Sequence, residues 1–66
     1  MSIEEVQRKL ELAQANQSHW EKIAADPTLS VQAALAARNS ARSHRAAVTL
    51  YRKALGYEHE KAALAQ

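Results

Sequence analysis

Pro27 is the only proline in this chain. It stands in the run Asp26-Pro27-Thr28-Leu29-Ser30, between two stretches free of any helix breaker until Gly56. Its ring disfavours helical geometry at the preceding residue, and Asp26, Thr28 and Ser30 can each cap a new helix start. Elsewhere Ala, Leu, Gln, Glu, Lys and Arg dominate and Phe is absent. Helix propensity is therefore high almost throughout, and strand signals are missing. The expected fold class is all-α: one helix over about 3–25, a turn over 26–30, and a second helix over about 31–55.

Local signals sharpen those limits. Ser2 followed three residues later by Glu5 has the form of a capping box. Ile3, Val6, Leu10, Ala13, Gln17, Trp20 and Ala24 then recur at alternating spacings of three and four, a heptad-like seam with one glutamine in it. Gly56 follows Lys53 and Leu55 as a C′ residue would, so the segment 57–65 is read as a helical tail. It either continues the second helix at a cost of about 1 kcal/mol or turns off as a short third helix.

A connection of about five residues forces the two helices to lie antiparallel. With the fold at about Thr28, residue x faces approximately 56 minus x. Trp20 then meets Ala36 and Ala37, Ala13 meets His44, Val6 meets Leu50 and Tyr51, and Ile3 meets Leu55. Large side chains oppose small ones, as close helix packing requires.

Size limits what such a hairpin achieves alone. Of 66 residues 31 are hydrophobic, and 15 of these are alanine, leaving 16 larger apolar side chains for a core. Ordering each residue costs roughly 1.5 kcal/mol, so chains this small usually need a staple or a partner. No cysteine is present to form a disulfide or a thiolate metal site. The expectation is one helical-hairpin domain over 1–66 that self-associates, with a dimeric four-helix bundle favoured.

Leu12, Ile23, Leu29, Val31 and Leu35 fall off the seam and gather towards the turn, the expected protein interface. Charge segregates as well. Residues 1–26 carry five acids and three bases, whereas residues 38–53 carry five bases and no acid. Arg38, Arg42, Arg45 and Arg52 share one helical face, with Lys53 at its edge. Planar guanidinium groups in a row suit phosphate, which makes nucleic acid the alternative partner. Set against it are the net charge of only +2, the lack of a stacking aromatic beside the row, and the neighbouring acids Glu4, Glu11 and Glu21 as ion-pair partners.

Chemical motifs are incomplete. His59-Glu60 opens a zincin-like pattern whose second histidine is replaced by Ala63, and His19, His44 and His59 are too far apart for an i, i+4 metal pair. His44, on the apolar face, reads as a hydrogen-bonded core histidine. Glu58, His59 and Glu60 point in different directions on a helix. The single glycine leaves no phosphate loop, so no cofactor, metal, small-molecule substrate or catalytic residue is expected.

No run approaches the ~20 apolar residues of a membrane span, and Glu4 and Glu5 stand where a secretion signal carries bases. The expectation is a soluble cytoplasmic protein without a membrane partner. Leu50–Tyr57 resembles part of a tetratricopeptide helix, but the 34-residue period is absent. The function these readings imply is a small non-enzymatic adaptor, assembly factor or regulator working by protein–protein binding.

Overall fold

The computed structural model describes residues 2–65; Met1 and Gln66, the two ends of the 1–66 domain, lie outside them. The Ser2 side-chain oxygen accepts the Glu5 backbone N–H at 3.2 Å, and helix α1 (Ile3–Ala24) begins there. Glu4 and Glu5 occupy its first turn and Lys22 its last, both in favourable sense for the helix dipole.

The chain leaves α1 through closely bonded turns. The Asp26 N–H donates to Ile23 O at 3.1 Å. The Asp26 Oδ1 accepts both the Thr28 N–H at 2.9 Å and the Thr28 hydroxyl at 2.7 Å. Ser30 then caps helix α2 (Val31–Leu64), its side chain accepting the Ala33 N–H at 3.2 Å and its carbonyl the Ala34 N–H at 2.9 Å. Proline supplies the break, and Asp26 and Ser30 satisfy the backbone groups it frees.

The two helices pack on each other as an antiparallel hairpin, and no strand occurs among the described residues. α2 runs through Gly56 without a break, so the second helix does not end at 55 and residues 57–64 are not a separate third helix. Among the described residues none has positive φ, so Gly56 takes helical rather than C′ geometry. A separate tail would have to nucleate a new helix from fewer than ten residues, which costs more than about 1 kcal/mol for one glycine inside a running helix.

α1 has 22 residues and α2 has 34, about 33 and 51 Å at 1.5 Å per residue, so α2 overhangs its partner. The hairpin measures 54 × 14 × 13 Å. All residues from His59 to Ala65 are exposed, which places the overhang beyond the start of α1.

The core is a single narrow seam. Fully shielded residues are Val6, Ala13, Ala37, Ala41 and Val48, three of the five being alanine. Ile3, Leu10, Gln17, Trp20 and Ala24 of α1 flank it half-buried, as do Ser40, His44, Tyr51 and Leu55 of α2. Leu50 is not opposite Val6: it is 65% exposed, and its neighbour Tyr51 takes the inward position. Successive helix residues are 100° apart, and with Val48 inside, Leu50 is carried to the outer face.

The surface area follows from this shape. A compact monomer of 7.3 kDa exposes about 4,200 Å², whereas this hairpin exposes 5140 Å².

Candidate functional site

Five side chains were expected to form one interface, and the fold brings three of them together. Leu29, Val31 and Leu35 line a cleft of about 340 Å³ at the hairpin tip, floored by Ala24, Ala34 and Pro27. Val31 is 77% and Leu35 51% exposed. Ile23 is half-buried and outside that lining, because its position just before the turn tucks it partly against the hairpin. Leu12 is exposed along a separate groove, beside Ala13, His44 and Tyr51, three helical turns from the tip. Ala13 and His44 sharing that groove agrees with the antiparallel register.

The tip is a rigid mount for its apolar residues. Two hydrogen bonds from Thr28, backbone first and hydroxyl second, hold the Asp26 carboxyl below the ordinary value of 3.8. An ionised carboxylate there fixes the turn that presents Leu29 and Val31.

The arginine row divides. Arg38, Arg42 and Arg45 line a cleft of about 250 Å³ between the helices, but Glu21 of α1 lines it too. Arg45 Nη2 lies 3.6 Å from Glu21 Oε1 with both side chains largely solvated, a geometry worth at most about 1 kcal/mol. Gln17 Nε2 also donates to Glu21 Oε1 at 2.8 Å, which steadies the carboxylate among the guanidinium groups. Arg52 and Lys53 lie farther along α2, exposed, and among the described residues neither has a carboxylate within 4.0 Å.

His44 is half-buried, and its Nδ1 donates to the Ser40 carbonyl at 2.7 Å, which makes it a hydrogen-bonded seam residue. His19 meets Trp20 edge to face at 5.6 Å near the tip. Among the described residues no group of three His, Cys, Asp or Glu could hold a metal ion. No helix there is long and apolar enough to cross a membrane.

One surface escaped the sequence reading. Leu50, Tyr57 and Leu64 are 65%, 63% and 84% exposed, and with Leu35 they run along the side of α2 facing away from α1. The seven-residue spacing of Leu50, Tyr57 and Leu64 is a signal present in the sequence, hidden when Leu50 is assigned to the seam. No family model, curated protein or solved structure matches the chain.

Proposed function

We propose that this chain is a small non-enzymatic helical protein of the cytoplasm that self-associates and acts by binding another protein, as an adaptor, assembly factor or regulator. One observation carries the reading. The largest fully buried side chain is a valine, while Leu12, Val31, Leu35, Leu50, Tyr57 and Leu64 are all exposed. A chain that fully buries only valine and alanine while six large apolar side chains stay exposed gains by covering the latter. The tip cleft, with Leu29, Val31 and Leu35, is the surface offered to the partner protein, and a four-helix bundle is the form that self-association takes.

Sedimentation velocity at micromolar concentration tests it. An associating species is expected; a monomer whose Leu35→Asp variant sediments identically would remove the case.

The alternative is a nucleic-acid-binding regulator using Arg38, Arg42, Arg45, Arg52 and Lys53. Three of these guanidinium groups share one cleft, which favours it, and Glu21 in the same cleft opposes a phosphate there. Its requirement is separate: affinity falls with salt by about 0.9 log units per phosphate contacted on a duplex. An Arg42→Glu/Arg45→Glu double variant would abolish such binding. Absence of low-salt binding to mixed DNA and RNA disposes of it.

A further inference from the structure

The outer face of α2 has an order of its own. At 100° per residue Leu35, Ala46, Leu50, Tyr57 and Leu64 fall within a sector of about 60°, which Gln32, Asn39 and Lys53 share. That sector lies opposite Ala37, Ala41 and Val48, and all five residues are exposed. It extends along roughly 44 Å of helix, much of the molecule's 54 Å length, and ends on the overhang.

Charge along α2 is polar end to end. Arg38, Arg42 and Arg45 lie in its N-terminal half, and the only acids after Asp26, Glu58 and Glu60, lie near its C-terminus. By the same angular count Glu60 and Arg42 sit on the same edge of the apolar stripe. An antiparallel two-fold copy brings like edges of the stripe together, and so sets Glu60 over Arg42 at both ends. Only two-fold symmetry makes one such surface its own complement.

We propose that this stripe is a two-fold antiparallel interface with a second copy of the chain, centred near Leu50, in which Glu60 of each copy pairs with Arg42 of the other. This rests on the self-association reading above and places it along α2; Leu35 lies where the stripe meets the tip cleft, and Leu29 and Val31 remain for a different protein. Around that centre residue x faces about 100 minus x. Leu50 then meets its own copy at the centre, Leu64 covers Leu35 and Ala36, Tyr57 lies over Ser43, and Ala46 over Ala54.

The test combines mass, cross-linking and charge reversal on the full chain, which has no cysteine of its own. The wild type is expected to sediment as a dimer at about 100 µM, and Leu50→Asp as a helical monomer. Val31→Asp, at the tip, is expected to remain dimeric. Leu50→Cys should cross-link to itself through a short bismaleimide, and Leu12→Cys should not. Arg42→Glu and Glu60→Arg should each weaken the dimer about tenfold, with the double variant recovering wild-type affinity.

A dimer that survives Leu50→Asp but is lost in Val31→Asp would overturn this interface and leave self-association standing. A monomeric wild type would overturn both. If Leu50→Asp loses its helicity, the charge cycle decides: no recovery in the double variant refutes the pairing.

Discussion

Replacing Gly56 with alanine should stabilise the protein, and the size of the gain follows from the structure. Gly56 sits inside α2, without positive φ. A Cβ built on it meets nothing within 4 Å. No steric loss therefore offsets the intrinsic preference for alanine in a helix interior, about 0.8–1.0 kcal/mol. Part of that preference is the greater freedom glycine confers on the unfolded chain. One kilocalorie corresponds to a rise in Tm of about 4–8 °C in a chain this small. Thermal unfolding followed by circular dichroism reads it directly. The two proteins must be compared at equal concentration, because self-association makes Tm concentration-dependent. A Tm that stays put or falls would refute the reasoning. It would mean that α2 is interrupted at 56 or that another surface presses on the bare Cα.

Val6→Ala removes two methyl groups from the most completely buried side chain and should cost about 2 kcal/mol in urea unfolding, with m unchanged. Ser30→Ala deletes the acceptor for the Ala33 N–H and should cost about 1 kcal/mol, most of which Ser30→Gly recovers. The Asp26 carboxyl titrates below its ordinary 3.8 in the folded chain, so it stabilises above that value. That contribution is lost as pH falls through the lowered folded value. Asp26→Asn should accordingly unfold more easily than wild type at pH 7, and the difference should close as pH falls below the lowered folded value; a constant difference would dismiss the Asp26–Thr28 bonds as its source.

The parts of the fold legible in the sequence are those fixed by local chemistry. Pro27 forbids a straight path, and Ser2, Asp26 and Ser30 carry oxygens that bond the free backbone groups around it. The α1 seam was legible because its apolar residues are large enough to have no alternative place: Ile3, Val6, Leu10 and Trp20 are all wholly or partly shielded. Gly56 was ambiguous because a glycine's role depends on the φ it adopts, and composition alone does not fix φ. The pairing of Arg45 with Glu21 could be anticipated from charge segregation, but the gathering of Arg38, Arg42 and Arg45 along one cleft with Glu21 needed the helix register.

The inner face of α2 resisted for a different reason. Alanine fits a seam and a solvated face equally well, so it assigns neither: Ala37 and Ala41 are buried while Ala36 and Ala46 are exposed. With alanine silent, Leu50 is the natural choice for the seam, and that choice removes the centre of the outer stripe. Assigning the seam instead to Ala37, Ala41 and Val48 lets the helices approach closely, since small side chains bring helix axes together. The same closeness leaves no position on the α2 seam for a fully buried leucine or tyrosine, and Tyr51 and Leu55 are only half-buried at its flanks. Leu35, Leu50, Tyr57 and Leu64 are thereby turned outward on one helix, and a thin core and a long apolar outer face become two consequences of one packing choice.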